Sequence, residues 1–149
     1  MKMKNMKRSE QLLKLSREHH GSLVMAKKIA LIAEEGTDQA LMEALEAVKA
    51  YYDDELEEHF QHEERTIFAP IFRQYPELKE MATVLLKEHG FIRLLIPKMT
   101  GETVKQDLAD FALVLKNHTR MEERELFPII EKSFSDEQMD AVLNFVPLD

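Results

Sequence analysis

Residues 59–70 read His-Phe-Gln-His-Glu-Glu-Arg-Thr-Ile-Phe-Ala-Pro, and residues 118–128 read His-Thr-Arg-Met-Glu-Glu-Arg-Glu-Leu-Phe-Pro. Six of the first ten positions are identical or both branched aliphatic, so one segment occurs twice. In each copy a histidine precedes a glutamate by four residues, His59 with Glu63 and His118 with Glu122. On an α-helix that spacing puts both side chains on one face, about one turn apart. Followed from His118, this face carries Phe111, Val114 and Leu115 below and Leu126 above. The histidine and the glutamate therefore project from an apolar stripe, which packs inward.

Outward from these copies, helix breakers divide the chain: Gly36 with Thr37 and Asp38, Pro76, Thr100-Gly101, and Ser133 to Asp136. Four long helices are expected, at about 7–35, 38–75, 76–99 and 102–134, with Gly36 as a C-terminal stop for the first. Ser135 and Asp136 cap a short fifth helix, 137–146, ended by Pro147. Pro70 and Pro128 fall inside helical patterns and should kink or break them, since each removes a backbone donor. Connections this short make sequential helices antiparallel neighbours. The expected fold is all-α, an up-down-up-down four-helix bundle over about 7–134 with a C-terminal helix at about 136–146. The whole, 1–149, forms one domain.

Composition agrees. Of 149 residues 44% are apolar, enough for a core, and only 4 are Gly and 5 Pro, which favours helix over turn-rich folds. With no cysteine, disulfides, Cys-ligated zinc and thiol chemistry are excluded. The net charge of −8 disfavours a general nucleic-acid binder. Lys2, Lys4, Lys7 and Arg8 are followed by polar Ser9-Glu10-Gln11 rather than the apolar stretch of a signal peptide, and no apolar run is long enough to span a bilayer. No membrane association and a cytoplasmic location are expected.

All six histidines, His19, His20, His59, His62, His89 and His118, lie in the four matched helical segments. The first and third helices share Arg17-Glu18-His19 and Lys87-Glu88-His89. His89 has Ala82, Leu85, Ile92 and Ile96 as its face neighbours. His19 steps onto Leu12, Leu15, Leu23 and Ala26, whereas His20 steps onto Leu13, Arg17, Val24 and Lys27, so His19 faces the core more squarely. Four inward histidines and two inward carboxylates would be six uncompensated buried polar groups unless something bound them.

A metal centre resolves this. Imidazole with carboxylate suits iron, zinc and manganese, and two carboxylates among four histidines is the inventory of two ions about 3.5–4 Å apart. The expected division is His19 and His59 on one ion, His89 and His118 on the other, and Glu63 and Glu122 bridging. His62 aligns with Met121 and, like His20, is as well suited to a supporting or partly exposed role as to ligation. Glu18, Glu64, Glu88 and Glu123 are expected to be solvated charges. Ferritin-like ligation by Glu-x-x-His is ruled out, because Ser16, Arg17, Leu56, His59, Leu86 and Leu115 stand three residues before the histidines. The zinc-protease pattern begun at His62-Glu63 fails at Thr66. The methionines, Met25, Met42, Met81 and Met99 among them, have core spacings and imply no copper role.

The phrases Leu-Ser-Arg-Glu-His-His, His-Phe-x-His-Glu-Glu-x-x-Ile-Phe, Lys-Glu-His and His-Thr-Arg-Met-Glu-Glu-Arg-Glu-Leu-Phe-Pro together resemble the hemerythrin-like family, the HHE cation-binding domain, from Leu15 to about Glu131. The resemblance implies a bundle holding two non-heme iron ions, ahead of zinc or manganese, and a small gaseous ligand, dioxygen or nitric oxide, or a part in handling iron. Carried over, it marks His19, His59, Glu63, His89, His118 and Glu122. Oxygen-carrying hemerythrins have a further histidine one turn after the third-helix one; here Arg93 stands there, so a fifth histidine could come only from His20 or His62. Fewer histidines leave more open coordination, favouring reaction or sensing over carriage. Relatives that repair iron–sulfur centres often carry a cysteine-bearing segment, and this chain has no cysteine.

Overall fold

The computed structural model describes residues 8–148, so the basic residues Lys2, Lys4 and Lys7 lie outside the described residues; the first helix, expected from about Lys7, is not yet formed at Arg8 and Ser9 and begins only at Leu13 after a 3-10 turn. Among the described residues the chain is helical, with no strand. α1 is Leu13–Glu35, entered through a 3-10 turn at Glu10–Leu12; α2 occupies 38–74; α3 is Lys79–Lys98 after a 3-10 turn at Pro76–Leu78; α4 occupies 104–133; α5 is Asp136–Leu143.

The breakers act as local chemistry dictates. Thr37 accepts from the Ala40 amide at 3.1 Å and starts α2. Ser135 and Gln138 form a reciprocal capping box at the start of α5. Gly36 does stop α1, but in extended backbone (φ −71°, ψ 151°) rather than the left-handed cap. Glycine suits the position because a Cβ would lie 2.5 Å from the Ile32 carbonyl oxygen. α5 ends at Leu143, short of the expected Val146, as the chain leaves the helix and Phe145 stacks on His62 at 4.4 Å.

The two inner prolines do not break their helices. Each follows a single π turn, Glu64–Phe68 before Pro70 and Glu122–Leu126 before Pro128, and a third π turn lies at Tyr52–Leu56. A π turn holds one extra residue, and its shifted hydrogen-bond register absorbs the missing proline donor and relieves the ring's clash with the preceding turn. Both turns begin at or beside the repeated Glu-Glu pairs.

Two apolar clusters fill the interior. One gathers Ile29, Leu45, Val48, Leu56, Phe60, Ile92, Leu108, Phe111 and Leu115; the other gathers Leu12, Leu15, Ile67, Phe68, Ile71, Leu85, Leu126, Phe127 and Ile130 with Val142 of α5. On every long helix the change from one cluster to the other falls at the histidines and glutamates singled out by the sequence. Burying each large apolar side chain contributes about 1.5–3 kcal/mol, so the two layers supply the driving force that carries a polar layer inside. Arg8, ahead of α1, pairs with Glu123 and Glu131 late in α4, and Lys105 early in α4 donates to the Glu34 carbonyl near the end of α1. No helix among the described residues is long and apolar enough to cross a membrane.

Candidate metal centre

His19 comes from α1, His59 and Glu63 from α2, His89 from α3, and His118 and Glu122 from α4. All six are buried, with 0–5% of their surface exposed. Each reaches the interior because it occupies an inward position between apolar neighbours: Leu15 and Ala26 flank His19, Leu85 and Ile92 flank His89, and Leu115 and Leu126 bracket His118 and Glu122. Aromatic faces hold the rings, with Phe60 stacked on His89 at 3.9 Å and Phe127 on His19 at 5.2 Å between centroids.

The structure brings the six together as two sets that share both glutamates. His19, His59, Glu63 and Glu122 have ligand-type atoms within 4.8 Å of one another, and so do Glu63, His89, His118 and Glu122. Glu63 Oε2 faces the Nε2 atoms of His19 and His59 at 3.1 and 3.2 Å, while its Oε1 faces His89 Nε2 at 3.1 Å. Glu122 Oε1 lies 2.8 Å from His19 Nε2, and its Oε2 lies 3.3 Å from His118 Nε2. Each carboxylate thus turns one oxygen to each histidine pair.

The buried polar atoms fit a cation. Neither oxygen of Glu122 has a hydrogen-bond partner of proper geometry, although both are buried. His89 and His118 turn Nε2 toward each other across 3.1 Å, so both ring nitrogens that a cation would use converge on one place. Nitrogen and oxygen donors of this kind suit iron, zinc or manganese rather than copper(I) or calcium.

Glu18, Glu64, Glu88 and Glu123 correct the sequence reading. They are not free solvated charges: each carboxylate accepts from one imidazole. His19 Nδ1 donates to Glu123 at 2.5 Å, His59 Nδ1 to Glu18 at 2.7 Å, and His89 and His118 Nδ1 to Glu64 and Glu88 at 2.8 Å each. The pairing runs around the bundle, α1 to α2, α2 to α3, α3 to α4 and α4 back to α1. An ionised carboxylate can only accept, so Nδ1 carries a proton and Nε2 is the nitrogen turned to the centre, able to give its lone pair to a cation once its own proton is displaced. A signal existed in the sequence: every one of these glutamates is adjacent to an inward histidine or glutamate, in all four helices.

Burial opposes ionisation, yet the mutual contacts overcome it. Burial lowers His19, but Glu122, Glu123 and Glu63 raise it well above an ordinary imidazole. His118 is likewise lowered by burial and raised to about 10 by Glu122 and Glu88. Burial raises the Glu63 carboxyl, and His59, His19 and His89 hold it well below the usual range; Glu18, raised by burial, is brought to about 2 by His59 and Lys14. Glu63 and Glu18 therefore remain ionised, and the ionised form is the one that ligates a cation or holds an imidazole.

The three remaining candidates point elsewhere. His62 is buried, but its Nε2 donates to the Val142 carbonyl at 2.7 Å and its ring stacks on Phe145, which ties α2 to α5. His20 is exposed on α1. Arg93 turns outward and clamps Glu57 and Glu64, with Nη1 to Glu64 at 2.6 Å and Nε to Glu57 at 2.8 Å, while its guanidinium lies over the Phe60 ring. Neither His20 nor His62 joins the four inward histidines.

No curated protein and no solved structure matches the chain. The family model described as the Hemerythrin HHE cation binding domain matches residues 12–135, which takes in all four long helices and every residue of the two clusters. This chain, with its paired histidine–glutamate helices closed around one buried centre, belongs to the hemerythrin HHE cation-binding domain family.

Proposed function

We propose that the protein is a non-heme di-iron protein of the cytoplasm that binds dioxygen or nitric oxide, in sensing, detoxification or the handling of iron. His19 and His59 hold one ion, His89 and His118 the other, and Glu63 and Glu122 bridge them within a single-domain antiparallel up-down-up-down bundle. The observation that carries this reading is the split of both carboxylates, one oxygen toward each histidine pair, in a layer sealed above and below by apolar clusters. The contacts of Arg8 with Glu123 and of Lys105 with Glu34 support the antiparallel placing of α1 against α4.

Two histidines and two shared carboxylates give each ion four protein donors, which close a tetrahedral zinc but leave positions open on iron. Bound iron supplies redox chemistry and a Lewis-acidic position for a small ligand. The chain's own residues do the rest. The outer carboxylates orient the four imidazoles, the bridging carboxylates fix the spacing of the ions, and the apolar layers exclude bulk water, which favours small neutral ligands.

Metal analysis with an optical spectrum tests the proposal: about two irons per chain, with charge-transfer bands that change on adding dioxygen or nitric oxide, are expected. Stoichiometric zinc, or no metal, would make the bundle a structural module and overturn it. Turnover of peroxide or nitric oxide would instead mark a redox enzyme at the same centre. Mössbauer or magnetic measurements should find the two ferric ions coupled, and Glu63→Gln or Glu122→Gln should abolish the coupling.

A further inference from the structure

The internal repeat allows the surroundings of the centre to be compared position by position. Aligning His19 with His89 and His59 with His118 sets Gly21 against Phe91, Ser22 against Ile92 and Glu55 against Val114. The inner donors match across this alignment; these three positions do not.

On the α1–α2 side the smaller set leaves a cavity of about 190 Å³ lined by Arg17, Glu18, Gly21, Ser22, Tyr51 and Glu55 and by the buried His59. Liquid water takes about 30 Å³ per molecule, so roughly six waters, a hydrated cation or a diatomic ligand would fit. The cavity opens outward past Gly21 and Glu55, both exposed. A Cβ built on Gly21 meets nothing within 4 Å, so the absent side chain is what leaves the mouth clear. Tyr51 and Ser22 close the wall between the helices through a 2.6 Å hydroxyl–hydroxyl hydrogen bond. On the α3–α4 side Ile92 is fully buried, Val114 packs against the apolar core, and a phenylalanine, Phe91, stands where Gly21 has no side chain.

We infer that the cavity between α1 and α2 is the solvent entrance of the centre, so that ions and small ligands arrive at the His19–His59 position while the His89–His118 position is filled from within. This rests on the di-iron reading above for the existence of the centre, and adds to it a direction of access set by Gly21, Ser22 and Glu55. Entry past His59 also passes Glu18, which holds that imidazole by its Nδ1 and leaves Nε2 turned to the ion.

The test measures uptake, not activity. Metal-free full-length protein is mixed with excess cobalt(II), and the bound-cobalt absorption is followed by stopped flow. The variants are Gly21→Phe, which copies the closed half, Glu55→Phe, which obstructs the mouth from the other helix, and Gly21→Ala. Both phenylalanine variants should slow uptake by about tenfold or more while final occupancy stays at the wild-type value, and Gly21→Ala should stay within about twofold of wild type. Two independent obstructing positions, each checked by its final occupancy, guard against a variant that merely misfolds. Wild-type rates in both obstructed proteins would overturn the entrance. A wild-type chain that takes up no ion would overturn the centre itself, a distinguishable result.

Discussion

The α1–α2 half and the α3–α4 half carry the same inner chemistry on different outer frames. Glu18-His19 matches Glu88-His89, and His59 with Glu63-Glu64 matches His118 with Glu122-Glu123, down to the way each outer carboxylate accepts from the imidazole of the next helix. Outside that layer the halves diverge. Arg93 clamps Glu57 and Glu64 on one side, whereas its counterpart in the first half is Leu23; Gly21 leaves a cavity where Phe91 stands in the other half. The lesson is that residues meeting at the shared axis are held by both halves at once, since Glu63 and Glu122 each face histidines from both. Outside that layer the match lapses: Gly21 differs from Phe91 and Leu23 from Arg93, although Arg93 itself reaches across to Glu57 and Glu64 of the other half.

The largest effect should come from attacking the matched donors. His59→Ala and His118→Ala should each reduce the metal content by about half or more, because each strips one of two imidazoles from an ion. His62→Ala should leave the metal in place and cost about 1–3 kcal/mol of stability, since it removes a buried hydrogen bond to Val142 and the stack on Phe145. Metal analysis beside thermal unfolding separates the two classes. Equal metal loss in His62→Ala and His118→Ala would break the comparison.

Next in size are the outer carboxylates. Glu18→Gln, Glu64→Gln, Glu88→Gln and Glu123→Gln should each weaken metal binding by about 10–100-fold, by loosening ring orientation and lowering imidazole basicity. Competition with a chelator reads this directly. Similar losses in the two halves would show the ring of carboxylates acting as one device, whereas loss confined to one half would assign ion retention to that half.

A pH series reaches both halves together. In the metal-free protein Glu18 and Glu57 lie at about 2 against 4.5 for an ordinary carboxyl, so their stabilisation is present above pH 4.5 and is lost as the pH falls toward 2. His118 lies at about 10 against 6.5, so its contribution is full below pH 6.5 and is lost as the pH rises toward 10. The unfolding midpoint of metal-free protein should therefore be highest between about pH 4.5 and 6.5 and fall on either side. Metal binding should release protons and reverse the alkaline decline. A midpoint that rises steadily from pH 6.5 to 10 without metal would contradict the charge assignments.

The smallest effect sharpens the contrast at the mouth. Gly21→Ala should raise stability by about 0.4–1 kcal/mol, because the helical backbone accepts a Cβ and the space is open. Gly36→Ala should instead destabilise, since its Cβ would press on the Ile32 carbonyl. Denaturant titration of both variants distinguishes an open glycine from a crowded one.

By itself the sequence determined the helical class, the breakers that separate the long helices and the six inward histidines and glutamates, because each follows from turn residues or from spacing along one helix with apolar neighbours three or four residues away; it placed the start of α1 too early, at about Lys7 rather than Leu13. The adjacent glutamates were legible as repeated doublets, yet read as surface charge, since the partner of each sits on a different helix. Only tertiary structure decided that Glu18 reaches His59 rather than its neighbour His19, that His62 turns to Val142 and not to the centre, and that Arg93 points outward to Glu57. The prolines show the same limit from the backbone: the sequence marks a missing donor at Pro70 and Pro128, but whether the helix breaks there or widens into a π turn depends on the packing on either side. Local periodicity specifies which face is buried; which atoms meet across that face is set by how four helices pack at once.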